Sequence, residues 1–159
     1  MTIMKLKKIF GVGLFGALIS VVLLLFIGCL DQILGHPQIC ANLLSLKIIA
    51  FLLIAIGFGL HCWTFFTLRY WWVENQLCTM GPFKYFRHPM YASWITFITL
   101  GVSLYLNSWI YLLWYVLLHP IWHRLVMTEE IMMKEIFGAE YQRYLESTCR
   151  FIPYVKVIP

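Results

Sequence analysis

Five charged or titratable side chains stand at the ends of long apolar runs, and they are the part of this chain that can do chemistry. Lys84, Arg87 and His88 fall in the stretch Gly81-Pro82-Phe83-Lys84-Tyr85-Phe86-Arg87-His88-Pro89-Met90-Tyr91, and Glu129-Glu130 follow about 40 residues later. Polar groups beside hydrocarbon-seeking sequence are costly and default to a functional reading. A cation-rich turn, two adjacent carboxylates and many aromatic faces suit a zwitterion with a positive centre. Its carboxylate would meet Arg87 or His88, its ammonium a glutamate, and a sulfonium would rest on aromatic rings. S-adenosylmethionine fits that description, as do other zwitterions.

Blander readings of the same residues stand beside it. Lys84 and Arg87 also suit headgroup anchors. Glu129 and Glu130 also suit the first turn of a helix, with Glu130 pairing to Lys134. A second constellation is His119 and His123, four apart on one helix face, with His61 in another span. Membrane histidines can ligate haem or another metal. Pro120 between the first two disturbs that geometry.

These residues must be positioned by membrane helices. Of 159 residues 62% are hydrophobic and 12% charged, half the charged share of a soluble domain. A net charge of +5 does not point to nucleic acid, because the basic residues flank apolar spans. The five cysteines have no metal spacing and read as small buried hydrophobes. Ile9 to Leu30 exceeds the usual core of a signal peptide and reads as a first span. Residues 31–42 form a polar loop. Leu43 to Leu68 is a second span carrying Gly57-Phe58-Gly59 and His61, the glycines serving helix packing or close approach of a ligand. Arg69 to Met80 is interfacial. Met90 to Leu125 is a helical hairpin turning at Asn107-Ser108 and kinked at Pro120. Thr128 caps a final amphipathic helix on the membrane surface, with Met133, Ile136, Phe137, Tyr141, Tyr144 and Leu145 on its apolar face. The expectation is a single all-α polytopic membrane domain of about four transmembrane helices, with 1–42 as first span and loop and 43–153 as core. Eleven of the twelve Lys and Arg fall on one face, Lys47 alone on the other. The positive-inside rule makes that face, and both termini, cytoplasmic.

The stretch from Gly81 to Tyr91, Glu129-Glu130 and then Phe137-Gly138-Ala139-Glu140-Tyr141 together resemble the small integral-membrane methyltransferases. These are the isoprenylcysteine carboxyl methyltransferases and the phospholipid N-methyltransferases. The resemblance covers roughly Leu43 to Pro153. It implies S-adenosyl-L-methionine as cofactor, in a pocket at the cytosolic side. It implies cofactor contacts from Asn75, Gln76, Leu77 and Cys78, from Phe83 and Arg87, from His88, Pro89, Met90 and Tyr91, and from Glu129 and Glu130. Gly57 and Gly59 look like the Gly-x-Gly of the phospholipid enzymes. Phe83 stands where the family usually has Tyr, and Ala92-Ser93 replaces the usual x-Gly. The family's substrate-facing Arg falls at Leu125, with Arg124 one residue off as substrate contact. Glu130 and Arg124 are the candidate catalytic groups, and no metal site is expected. The expected partners are the lipid bilayer and a lipophilic or lipidated acceptor, with no nucleic acid. The expected reaction is carboxyl O-methylation of the isoprenylcysteine type. The alternatives are phospholipid or small-amine N-methylation and, in another class, a haem or metal protein using His61, His119 and His123.

Overall fold

The computed structural model describes residues 12–71 and 76–152, without the side chains of 70 and 71. The expectations placed on Lys5, Lys7, Lys8, Asn75 and Lys156 lie outside these residues.

Uninterrupted Leu, Ile, Val and Phe make two long helices, α1 (Gly13–Ile33) and α2 (Leu43–Trp71). Both are long and apolar enough to cross a membrane. Leu14, Phe15, Leu25, Leu44, Phe51 and Phe58 point outward from them and are well exposed, a surface that suits lipid and not water. α3 runs over 89–105 in three consecutive pieces: Pro89–Ala92, a π-wound Ser93–Ile98 and Thr99–Tyr105. α4 is Trp109–Ser147. Among the described residues there is no strand, only isolated bridges at Gln38–Ser108 and Phe86–Cys149.

α2 packs along α3, and α1 along α4. Small residues set these seams. A Cβ on Gly101 would stand 2.8 Å from the Ala50 carbonyl, one on Gly57 2.6 Å from Ile98 Cγ1, and one on Gly16 2.6 Å from the Trp122 ring. Side chains there would push the helices apart. Indole N–H groups buried in the α1–α4 seam find oxygens on Ser20: Trp122 Nε1 donates to its Oγ at 3.0 Å and Trp114 Nε1 to its carbonyl at 3.1 Å.

The hairpin turns at Asn107-Ser108, as its polarity suggested. Asn107 takes a positive φ of 52°, and Ser108 caps α4 by accepting from the Ile110 N–H. The same turn ties down the loop after α1. Ser108 donates to the buried Asp31, which also meets His36 Nδ1 at 2.7 Å. Cys40 and Asn107 exchange two bonds of 3.1 Å.

The end of the chain departs from expectation. Thr128 caps nothing: α4 runs straight through it, and its hydroxyl donates back to the Leu125 carbonyl at 2.9 Å. Non-helical dihedrals inside α4 occur at Gly138 (φ 51°, ψ −124°) and not at Pro120. Much of the apolar stripe beyond Thr128 is consumed internally, since Tyr141 and Tyr144 bury Leu77 with Met133, Phe137 and Leu145 around them. Ile136 remains exposed.

Candidate active site

The polar stretch is folded into place by three devices. Gly81 adopts φ 56° and lies so close to α2 that a Cβ would meet Thr67 Oγ1 at 2.9 Å; only glycine takes both the dihedral and the approach without strain. Pro82 then starts a short 3₁₀ turn, Gly81–Lys84. Pro89 opens α3 at a position where its missing N–H is harmless. The turn is pinned from α4 by the Tyr144 hydroxyl, which donates to the Phe83 carbonyl at 2.6 Å.

The tail beyond α4 then closes on the stretch. The Arg87 N–H donates to the Cys149 carbonyl at 2.7 Å and the His88 N–H to the Arg150 carbonyl at 3.4 Å. Arg87 Nη1 donates to the carbonyls of Leu145, at 3.2 Å, and of Thr148. Phe151 is fully buried and stands beside the rings of His88 and His123.

The two adjacent glutamates of α4 are held differently. Glu130 is an ion-pair hub. Arg87 Nε and Arg150 Nε each donate to its Oε1 at 3.0 Å, and Arg150 Nη2 donates to Oε2. Burial works against its charge, but His88, Arg150 and Arg87 outweigh that and hold the carboxyl well below the usual carboxylate range. Glu129 is held by neutral donors. Its Oε1 accepts from the Val12 N–H at 2.7 Å and the Tyr91 hydroxyl at 2.9 Å. The carboxylate thus sits at the N-terminal end of α1, where the helix dipole favours it.

His88 lies between the two carboxylates. Its Nδ1 is 3.5 Å from Glu129 Oε2 and its Nε2 is 3.4 Å from Glu130 Oε1. The second contact is a close approach and not an aligned hydrogen bond, because Nε2 is buried without an aligned partner among the described residues. The imidazole stacks on Tyr91, and Tyr91 leans on Trp122. The arrangement is a carboxylate, an imidazole with an unspent nitrogen, and a wall of rings.

Arg87, His88, Tyr91, Glu129 and Glu130 are therefore brought together. Pro89 is buried at the start of α3, and Met90 is half-buried beside it. Leu77 and Cys78 are buried under the end of α4, and Gln76 is exposed. Burial pushes the Cys78 thiol up. Burial, reinforced by the Glu130 charge, takes the Tyr141 hydroxyl up to about 12. Phe83 lends its carbonyl to Tyr144. Gly57 is filled by α3, while Gly59 faces open space. Arg124 is exposed, and it is Arg150 that brings a cation to this part of α4. The three histidines do not converge: His61 bonds Ser93 and His123 accepts from Arg150, and no group of three or more His, Cys, Asp or Glu forms among the described residues.

Sequence reasoning missed Val12, Arg150 and Phe151. Val12 contributes only a backbone N–H, which no residue type advertises. Arg150 stands among Lys134, Arg143 and Lys156 in the charged end of the sequence, and was read only as topology.

No curated protein and no solved structure matches this chain. The family model described as phospholipid methyltransferase matches residues 46–140, which takes in α2, the polar stretch, α3 and the Glu129-Glu130 pair. The chain belongs to the phospholipid methyltransferase family and is a membrane methyltransferase.

Proposed function

We propose that the protein transfers a methyl group from S-adenosylmethionine to a lipophilic acceptor held in the bilayer, at the cytoplasmic face where Arg87-His88 meets Glu129-Glu130. The observation that carries this reading is the pairing of His88 with Glu129 across about 40 residues of sequence, under aromatic rings. The donor chemistry fits these residues. Glu129 Oε2 is the less committed carboxylate oxygen and suits an ammonium. His88 Nε2 has no aligned hydrogen bond, and it would serve the donor's carboxylate by turning away from its 3.4 Å approach to Glu130 Oε1. The half-buried Tyr91 ring suits a sulfonium, with the buried Trp122 behind it.

S-adenosylmethionine supplies an electrophilic methyl on a good leaving group. The chain then has to orient two partners and exclude water, and no side-chain nucleophile is required. Arg87, Arg150 and Glu130 serve this by holding the His88 loop against α4. Glu130 is a poor proton acceptor, because its charge is already stabilised from two sides. The bundle reading consistent with this is four spans, with α3 and the first half of α4 as the second pair. Basic residues at one end put that end in the cytoplasm.

Two acceptor chemistries are supported by different observations. A carboxylate, as in isoprenylcysteine, has no proton to lose, which agrees with both glutamates being engaged. A phospholipid amine agrees with the family description and needs a proton acceptor other than Glu130. Purified protein given labelled S-adenosylmethionine and a total membrane lipid extract tests the reading. The expected result is label in organic-extractable product, whose mass identifies the acceptor. No labelled product from any lipid class would reject it.

A further inference from the structure

α1 enters the site without any side chain that does chemistry. The first turn of a helix leaves backbone N–H groups without intrahelical partners, and no side chain of α1 caps them. Groups from α3 and α4 take those donors instead. Glu129 Oε1 accepts from the Val12 N–H at 2.7 Å. The Tyr91 hydroxyl donates to the same Oε1 at 2.9 Å, and the Gly13 N–H faces that hydroxyl oxygen. Gly13 and Gly16 then leave room for two rings. A Cβ on Gly13 would stand 3.2 Å from Tyr91 Cε1 and 3.3 Å from its hydroxyl oxygen, and one on Gly16 2.6 Å from the Trp122 ring. Trp122 is buried, its indole N–H is spent on Ser20 Oγ, and its ring centre lies 4.9 Å from that of Tyr91. Tyr91 therefore cannot retreat from a new side chain at position 13 and has to turn. An independent mark of a ligand stands beside the same ring. The His88 side chain is 10% exposed, stacks on Tyr91, and has a buried Nε2 without an aligned partner among the described residues. α1 lies outside the residues that carry the family match, so this contact is made by a helix that the family model does not cover.

We propose that α1 is a wall of the methyl-donor site and that Gly13 is a positioning residue, setting where the Tyr91 ring meets the donor's sulfonium. This rests on the methyltransferase reading above and adds to it a residue that acts through Tyr91 and touches no ligand itself. A ring attracts a cation only when the charge sits over its face, within about 6 Å of the centroid. A methyl group at position 13 forces the Tyr91 ring to give by a few tenths of an ångström. The branched carbons of valine reach further, turn the ring and draw its hydroxyl from Glu129. S-adenosylmethionine and S-adenosylhomocysteine carry the same ammonium and carboxylate and differ in charge at sulfur. Glu129 and His88 serve both ligands alike, so the ratio of the two affinities isolates what meets the sulfur.

The test is calorimetric titration of wild type, Gly13→Ala, Gly13→Val and Gly28→Ala with each of the two ligands in detergent, with a melting curve for every protein. Gly28→Ala is the control on the same helix, because a Cβ there meets only the Tyr111 hydroxyl at an ordinary 3.6 Å; it should change neither affinity. Gly13→Val should lose about 3-fold or more of the wild-type affinity ratio of S-adenosylmethionine to S-adenosylhomocysteine, and Gly13→Ala should lose less. A Gly13→Val protein that melts cooperatively and keeps the wild-type ratio overturns the inference, even where both affinities fall together, because α1 is then only a strut. A Gly28→Ala protein whose ratio falls as far overturns it too. Where Gly13→Val does not fold, the Gly13→Ala ratio decides: a lowered ratio supports the inference and an unchanged one overturns it. A wild-type protein that binds neither ligand rejects the donor site itself, and with it the methyltransferase reading.

Discussion

Glu129 and Glu130 are neighbours of one residue type, and the structure gives them opposite tasks, so replacing each by glutamine should produce opposite phenotypes. Glu130→Gln leaves two guanidiniums without their carboxylate. The Arg87 and Arg150 side chains are 11% and 22% exposed, so water only partly compensates. Removing one member of a fully buried pair costs about 3–5 kcal/mol. The partial exposure, and the one acceptor that glutamine retains, reduce this to about 2 kcal/mol. Glu129→Gln keeps an amide oxygen for the Val12 N–H and the Tyr91 hydroxyl, so stability should change by less than about 1 kcal/mol. It loses the charge offered to the donor's ammonium, worth about 1.5–3 kcal/mol, or about 10- to 100-fold in Kd. Thermal unfolding in detergent and calorimetric titration with S-adenosylhomocysteine read the two effects separately. A Glu130→Gln protein of unchanged stability, or a Glu129→Gln protein of unchanged affinity, would refute the division of labour.

Three further outcomes follow from the geometry. Arg150→Ala should destabilise the protein and weaken S-adenosylhomocysteine binding together, because the Arg150 side chain joins Glu130 to His123 and so anchors the tail segment whose backbone carbonyl accepts from the His88 N–H; Arg150→Lys should restore only part of each, lacking the planar fork. Gly57→Ala should cost about 1–3 kcal/mol by overpacking against Ile98, while Gly59→Ala, facing open space, should leave the melting temperature unchanged. The stability supplied by Glu130 should be constant from about pH 6 to 8, since a depressed carboxyl contributes fully above its unfolded value and loses its contribution as pH falls toward the folded one. Acid titration of unfolding should therefore begin to narrow the gap between wild type and Glu130→Gln only below about pH 4, and close it only well below that, at the depressed folded value.

The features legible beforehand were those where a residue type is out of place. Asn107-Ser108 stood out as a polar pair in a hydrocarbon-like run, and it is the turn. Arg87-His88 and Glu129-Glu130 stood out for the same reason, and they meet. What was not legible depends on partners rather than types. Thr128 resembles a cap, but the Leu125 carbonyl one turn back takes its hydroxyl and the helix continues. Pro120 resembles a break, yet the non-helical dihedrals fall at Gly138. The apolar stripe after Thr128 has the period of a membrane-surface helix, but periodicity does not say whether lipid or Leu77 will cover it. The Val12 contact to Glu129 spans 117 residues and uses a backbone atom, so no pattern of side chains could have announced it.

The central claim is that two distant segments close over one small charged methyl donor at the edge of the bilayer. A structure of the protein with S-adenosylhomocysteine bound tests it most directly. The expected result is a ligand touching both the His88 imidazole and the Glu129 carboxylate, with its amino group on the latter. A ligand seated elsewhere, in contact with neither residue, would contradict it.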